Sequence, residues 1–351
     1  MSKYYNRYLL IYFFNNHFMK RITLFFICIS AFILNTLSSS AQNYVLDKTI
    51  AIPGNGGYDY AFIDQVNHHL YTSHATAVNV IDLQTEKVIG TISGMKGVHG
   101  IAISNELGRG FITDGKANAV VAFDINTLQI IKTIPISGKG PDGIIYDPSS
   151  KKIFAFEGDS NSAVVIDPQT LSQTGTVDLG GGPEFAVADG NGLIYNNLED
   201  KSSLVVIDVN TLKVIHTYPL TPCGGPTGLA MDKDNQRLFT VCRENKGMSV
   251  IDAATGKVLQ TLPIGTGVDA VIYDAANKLV IASNGDGTAT IFKQNSADNY
   301  ELIQTLKTQF KAKTMAMDAT THKLYFPVAD FQPGTKTQVP DSFKVLVYTL
   351  K

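Results

Sequence analysis

A short apolar run, usually closed by Asp, recurs along the chain at intervals of about forty residues and restricts the fold more than any other feature. The closing residues stand at positions 82, 124, 167, 208, 252, 293 and 349, so the steps between successive copies are 42, 43, 41, 44, 41 and 56. A β-rich repeat of ~40–45 residues has the length of one four-stranded propeller blade. Seven copies therefore predict an all-β fold, a seven-bladed β-propeller.

The last copy predicts how the ring of blades closes. The chain ends at Lys351, just after the third strand of that copy, and residues 44–53 match the outer-strand pattern of residues 88–93 and 130–136. We therefore expect the N-terminal strand to complete the last blade, which removes exposed sheet edges. The turn after most third strands reads Asp-x-x-Thr, and we interpret its Asp as structural, because its carboxylate can bond the backbone two residues on.

The segment before the repeats, residues 1–41, is typical of an export signal. Lys20-Arg21 precedes an apolar stretch over residues 22–34, and the small residues 39–41 form a cleavage site before Gln42. Met19 stands where an initiator is expected, so residues 1–18 are either a mis-called start or an unusually long n-region of the signal. A membrane anchor that is retained is the alternative interpretation of residues 1–41. We expect a periplasmic or secreted, monomeric protein with one domain over residues 42–351 and no membrane span in that part.

The net charge and the cysteine content of the chain limit the classes of function that it can have. The formal net charge is −2 with no block of like charge, and basic patches with interleaved aromatic residues are missing, which disfavours nucleic-acid binding. Haem-attachment, phosphate-loop, nucleophile-elbow and zinc-protease motifs are absent from the sequence as well. Cys223 and Cys242 fall on one rim of the fifth blade, where a disulfide is favoured over two free thiols or a thiolate ligand.

The repeat resembles the YVTN-family β-propellers. The second-strand motif of that family is matched loosely at residues 70–73, 193–197, 238–241 and 324–326, and Gly-Pro precedes three first strands at 140–141, 182–183 and 225–226. The resemblance covers the whole of residues 42–351 and implies the same seven-bladed fold. Propellers of this kind include DNA-binding proteins, dehydrogenase and reductase domains and streptogramin lyases, so the resemblance implies no single activity. WD repeats are excluded because the chain has no Trp.

Aligning the blades predicts where a site lies. In a meander blade, the loop into the first strand and the loop after the second strand reach the same rim. The residues at these two points are Asp59 and His74, His99 and Asp114, Asp142 and Glu157, Glu184 and Asn197, Thr227 and Cys242, Asp269 and Asn284, and approximately Thr314 and Asp330. In five of the seven pairs the two positions differ by the same number (74−59, 114−99, 157−142, 242−227 and 284−269 each give 15), so we expect these side chains to surround one mouth of the central channel.

This predicted rim is acidic and contains two histidines. Clustered carboxylates repel one another unless they are protonated or bridged by a cation, and oxygen-rich sites with one or two imidazoles suit Ca²⁺, Mn²⁺ or Zn²⁺. Asp59, His74, His99 and Asp142 are the metal-ligand candidates, and a solvated polar channel without a ligand is the alternative. Arg243 could hold a carboxylate or phosphate, although pairing with a neighbouring acid is the favoured interpretation.

We expect the protein to bind a small molecule or a protein partner at this rim. The alternative is a metal-assisted lyase or hydrolase in which His74 or His99 acts as base or ligand. A third hypothesis is an interaction module that uses the insert over residues 331–341, which lengthens the last step of the repeat. This insert is either a lid over the rim or a tolerated surface insertion.

Overall fold

The computed structural model describes residues 43–351. The predicted export signal, residues 1–41, lies outside the described residues, and its assignment stays a prediction. Among residues 43–351, no helix is long and apolar enough to cross a membrane.

The described chain forms seven four-stranded antiparallel sheets, which confirms the seven-bladed propeller. Strand β1 (Tyr44–Ala51) belongs to the last blade. The first three blades are β2 (Ala61–Asp64), β3 (His69–His74), β4 (Ala77–Asp82) and β5 (Lys87–Ile92); β6 (Val98–Ser104), β7 (Arg109–Asp114), β8 (Ala119–Asp124) and β9 (Ile130–Pro135); and β10 (Pro141–Asp147), β11 (Lys152–Glu157), β12 (Ser162–Asp167) and β13 (Ser172–Asp178).

The next three blades repeat the same meander. They are β14 (Pro183–Ala188), β15 (Leu193–Leu198), β16 (Ser203–Asp208) and β17 (Lys213–Pro219); β18 (Pro226–Asp232), β19 (Arg237–Cys242), β20 (Gly247–Asp252) and β21 (Val258–Pro263); and β22 (Val268–Asp274), β23 (Leu279–Asn284), β24 (Thr288–Ser296) and β25 (Asn299–Lys307). Short 3₁₀ turns occur at Asn105–Leu107, Gly115–Ala117, Gly158–Ser160 and Glu199–Lys201.

The seventh blade closes the ring with the N-terminal strand, as predicted. It contains β26 (Ala316–Met317), β27 (Leu324–Val328) and β28 (Lys344–Leu350), and β1 pairs with β28 in antiparallel register from Tyr44 opposite Leu350 to Ala51 opposite Lys344. The hydroxyl of Tyr44, a buried residue, donates to the carbonyl of His322 at 3.0 Å. The N-terminal strand is therefore joined to the last blade by its backbone and its side chains.

The core of residues 43–351 lies between the blades. Seven clusters of buried apolar side chains each join two neighbouring sheets, for example Val80 and Ile112 between the first and second blades. The third strands supply buried Val, Ile and Phe, whereas the outer strands are largely exposed. This pattern follows from strand alternation, because both faces of each inner strand are covered by a neighbouring blade.

Asp occupies two recurring positions in the blades. The Asp-x-x-Thr turns bond as expected: Asp124 Oδ1 accepts the backbone N–H groups of Asn126 and Thr127 at 2.9 and 2.8 Å. A second Asp stands at the end of the first strand or directly after it in six blades, at positions 64, 147, 189, 232, 274 and 318, and the second blade has Ser104 at this closing position. Asp64 and Asp147 are buried and accept hydrogen bonds from the following turn. This first-strand Asp gives a reference position from which equivalent residues can be counted.

Candidate functional site

The predicted first-strand ring forms at one mouth of the channel. Counting back five residues from each first-strand closing position gives one residue per blade: Asp59, His99, Asp142, Glu184, Thr227, Asp269 and Lys313. In five blades a β-bulge interrupts the register at this residue, as between Val98 and Ile101. A bulge turns a side chain away from the regular alternation of the strand, which is how these side chains reach the mouth.

His99 joins two aspartates of neighbouring blades. Its Nδ1 lies 2.8 Å from Asp59 Oδ2 and 3.4 Å from Asp142 Oδ1. One donor atom from each of these three residues lies within 4.8 Å of the others, which is the spacing of metal ligands. The hydrogen bond to Asp59 raises the pKa of His99, burial opposes this, and the charge of Asp142 adds to it.

Two basic side chains fill the opposite half of the ring. The ammonium of Lys313 contacts Asp269 and lies 3.6 Å from Asp59 Oδ1. Arg243 bridges Asp269 Oδ1 and Glu199 Oε1, both at 2.5 Å. Arg243 therefore pairs with neighbouring acids, the favoured interpretation of the sequence. Burial would lower the pKa of Lys313, but the charges of Asp269 and Asp59 raise it, so Lys313 is a permanent cation.

Burial and like charge change the ionisation of the remaining acids. Burial raises the pKa of Glu184 to about 9, and the charges of Asp269, Asp142 and Glu199 contribute. Burial and the charge of Asp59 raise the pKa of Asp142 to about 6. Asp59 behaves in the opposite way: burial acts to raise its pKa, but bonding to His99 and the charge of Lys313 hold it below the usual value.

We call these eight residues the mouth cluster: Asp59, His99, Asp142, Glu184, Glu199, Arg243, Asp269 and Lys313. Glu199 and the ring position of Lys313 were missed by the sequence alignment, which placed the seventh blade one residue later. Glu199 begins the 3₁₀ turn after the second strand, and the equivalent turns of the second and third blades begin with Gly115 and Gly158, so the repeat does not mark an acid there. Lys313 could have been found by counting back from Asp318.

The second-strand residues predicted for the same mouth lie elsewhere. Asp114 accepts the backbone N–H groups of Lys96 and Gly97, and Glu157 accepts the hydroxyl of Ser162 at 2.5 Å. The amide of Asn284 donates to two threonines of its own blade. All three predicted residues are buried, and these partners belong to the loops and strands of their own blades.

His74 is separated from the histidine–aspartate group. Its ring stacks on Phe343 with centroids 4.1 Å apart, and burial lowers its pKa. The equal spacing of the pairs places His74 and His99 on the same rim, but His74 packs under the end of the blade-seven insert. The expectation that both histidines share one metal site does not match this geometry.

Asn197 and Thr227 form hydrogen bonds that join neighbouring blades. The structure pairs Pro183 with Leu198, so Leu198 rather than Asn197 is the end of the second strand in the fourth blade. Asn197 donates to the carbonyl of Thr227 in the next blade at 2.9 Å. Thr227 is fully buried and its hydroxyl lies 3.4 Å from the carbonyl of Val268.

Similar bonds join other neighbouring blades directly below the mouth. The hydroxyl of Thr113 donates to the carbonyl of Asp142 at 2.5 Å, and that of Thr314 donates to the carbonyl of Asp59 at 2.6 Å. Ser283 donates in the same way to the carbonyl of Lys313. These bonds fix the backbone at Asp59, Asp142 and Lys313, so these three ring residues are held in position by the neighbouring blades.

Cys223 and Cys242 form a disulfide with an S–S distance of 1.99 Å. It joins the loop entering the fifth blade to the end of its second strand. Arg243 follows Cys242 directly, so the disulfide supports the backbone that carries this guanidinium into the mouth cluster.

The blade-seven insert packs against the segment that crosses from the last blade to the first. Asp341 accepts the backbone N–H of Gly54 at 3.0 Å and donates its own to Asn55 Oδ1 at 2.7 Å. Phe331 meets Phe310 edge to face at 6.1 Å. The insert therefore lies on the rim of the mouth cluster beside blades one and seven, and whether it acts as a lid stays a prediction.

Comparison with known proteins supports the fold. Kuenenia stuttgartiensis hydrazine synthase is similar over 85% of this chain and 99% of that one, with a TM-score of 0.68 and 16% identity. A chain of a mitotic checkpoint complex is similar over 89% of this chain and 93% of that one, with a TM-score of 0.72 and 12% identity. No family model matches the chain, and the search of curated proteins finds no match either. At these identities the likeness is one of fold alone, that of a β-propeller scaffold.

Proposed function

We propose that this protein is an exported β-propeller of the YVTN type that binds a cationic ligand at the mouth cluster. The observation that carries the proposal is the uneven distribution of charge in the ring. Arg243 and Lys313 pair with Asp59, Asp269 and Glu199. Within residues 43–351, neither Asp142 nor Glu184 has a Lys or Arg ion pair. A cation is the ligand that would relieve the repulsion on that side of the ring.

A divalent metal is the ligand that this geometry favours. Asp59, His99 and Asp142 offer two carboxylate oxygens and one imidazole nitrogen within 4.8 Å of one another. Such a mixed donor set suits Mn²⁺ or Zn²⁺, and Ca²⁺ would use the carboxylates and water. Lys313 would remain on Asp269, its closer partner, when a metal takes up the charge of Asp59.

Metal titration by calorimetry tests the proposal, with protein beginning at Gln42 and treated with chelator beforehand. We expect one Mn²⁺ or Zn²⁺ per chain, and at least a tenfold loss of affinity in Asp142→Asn and in His99→Ala. Asp159→Asn is the matched control, because Asp159 is an exposed acid on the same rim of the same blade. Equal affinity in all variants, or no metal uptake by the wild type, would overturn the metal proposal.

Metal-assisted hydrolysis is the second candidate function. Its support is that three protein ligands leave coordination positions for other groups, as catalytic rather than structural zinc sites do. His99 would be one of these three ligands, and the metal would supply a water molecule activated for attack. A panel of nitrophenyl esters and phosphates, assayed with and without Zn²⁺, tests this candidate. Activity that follows metal occupancy and disappears in His99→Ala supports an enzyme, whereas metal binding without turnover leaves a binding protein.

A further inference from the structure

A cavity lies in the channel, away from the mouth cluster. It has a volume of about 560 Å³, and its lining comes from the first strands of blades one to five and the residues next to them. The side chains are mostly apolar and include Phe62, Ile101, Ile144, Val187 and Met231. We call this space the channel cavity. Ligand pockets in proteins span ~300–1,000 Å³ and are mostly apolar with a few polar groups, so both its size and its lining are those of a ligand site.

An aromatic pair separates the channel cavity from the mouth cluster. Tyr60 of the first blade and Phe185 of the fourth stack with centroids 4.7 Å apart, so they meet across the channel. Each directly follows a ring residue, Asp59 or Glu184. Gly143 leaves room for this pair, because a Cβ at that position would lie 3.3 Å from the Tyr60 hydroxyl. The carboxylates therefore do not line the cavity, and a ligand there meets a flat aromatic end wall.

The other end of the channel cavity carries a positive group. Its lining extends to Pro148 and Lys233, one residue past the closing Asp of their first strands. Lys233 is exposed, and no carboxylate of residues 43–351 forms an ion pair with it. The closing Asp147 and Asp232 are buried and bonded to their own turns. Glu106, the acid that contacts the lining residue Tyr146, also pairs with Lys151.

We propose that the channel cavity binds an amphipathic carboxylate, with an alkyl or aryl body inside the channel and the anionic head group at Lys233. The apolar body would replace water along the first strands, which is the source of affinity in such a site. The head group would remain at the open end, where a single lysine can pair with it without burying a charge. This proposal is independent of the cation site, because the Tyr60–Phe185 pair lies between the two.

Calorimetry with dodecanoate and with dodecanol, its uncharged analogue, tests the proposal on the protein beginning at Gln42. Lys233→Gln should weaken dodecanoate binding about two- to fivefold, as expected for an exposed ion pair, and leave dodecanol unchanged. Lys278→Gln is the matched control: Lys278 is exposed in the equivalent turn of the next blade and does not line the cavity. Ala186→Phe fills the cavity and should abolish binding of both compounds.

Three results would overturn the proposal. They are no binding of dodecanoate, an equal loss of both compounds in Lys233→Gln, and unchanged binding in a folded Ala186→Phe protein. If Ala186→Phe does not fold, the comparison of Lys233→Gln with Lys278→Gln still decides the outcome. Asp142→Asn should affect neither compound, so failure of the cation site and failure of the channel cavity can be distinguished.

Discussion

Glu184→Gln should stabilise the protein while weakening cation binding. Glu184 is the ring residue of the fourth blade, and burial together with the charges of Asp269, Asp142 and Glu199 raises its pKa from 4.5 to about 9. A glutamine keeps the shape of the side chain but cannot ionise. The substitution therefore removes the cost of keeping this carboxyl protonated in the folded chain when no cation is bound, and it also removes a carboxylate that would face a bound cation.

The size of the effect follows from the two pKa values of Glu184. Below pH 4.5 the carboxyl is protonated in both the folded and the unfolded chain and contributes nothing. Between pH 4.5 and about 9 only the unfolded chain loses the proton, so the folded state becomes less stable by ~1.4 kcal/mol per pH unit. At pH 7 the accumulated loss of stability is on the order of 3 kcal/mol. Because neighbouring acids share the proton, we expect Glu184→Gln to gain about 1–3 kcal/mol at that pH.

Urea unfolding at pH 4.5, 6, 7 and 8 in the presence of chelator measures this gain. The difference in free energy of unfolding between Glu184→Gln and wild type should be near zero at pH 4.5 and grow with pH. Glu244→Gln is the matched control, an exposed acid on the same rim that should change stability by less than ~0.5 kcal/mol. A difference that is independent of pH, or a less stable variant at pH 8, would refute the reasoning.

Three further predictions address the scaffold and the cation site. The carboxylate of Asp114 accepts the N–H groups of Lys96 and Gly97, so Asp114→Ala should lower the free energy of unfolding in urea by about 1.5–3 kcal/mol. Metal affinity should not change, and a large loss of metal affinity would place Asp114 in the site. Reducing the Cys223–Cys242 disulfide, which spans 19 residues, should cost about 3 kcal/mol, and a melting temperature unaffected by reductant would contradict this. Metal affinity should fall as the pH drops through about 6, because Asp142 takes up a proton in that range. The raised pKa of His99 means that its ring is protonated at low pH as well, which also weakens metal binding. An affinity that is constant between pH 8 and 5 would exclude both residues as ligands.

The repeat predicted the scaffold because every copy obeys the same physical constraints. The third strands must be apolar on both faces, and the following turn must satisfy its backbone, so the spacing of these features survives in the sequence. Ring closure was predictable for the same reason: a last copy without an outer strand leaves an edge that residues 44–51 can cover.

The candidate site was predicted only in part, because spacing gives the level of a residue along the channel and not the direction of its side chain. Asp114 and His99 lie at the same level, yet Asp114 turns into its own blade while a bulge carries His99 to the mouth. The bulge leaves no mark in the sequence other than the constant five-residue distance to the closing position. Contacts between neighbouring blades, such as that between Arg243 and Glu199, join residues 44 positions apart, so they arise only when the blades pack against each other.

The composition of the ring itself argues that the mouth is a place where this propeller is specialised. The closing position of the first strand is Asp in six of seven blades, since each must cap the same turn. Five residues earlier the seven blades carry Asp, His, Asp, Glu, Thr, Asp and Lys. A position that only had to fit the repeat would be free to hold one small polar residue throughout. Instead, that position holds partly buried ionisable groups of both signs, two of which, Asp142 and Glu184, have no Lys or Arg ion pair among residues 43–351. This arrangement lowers stability unless a ligand makes use of it.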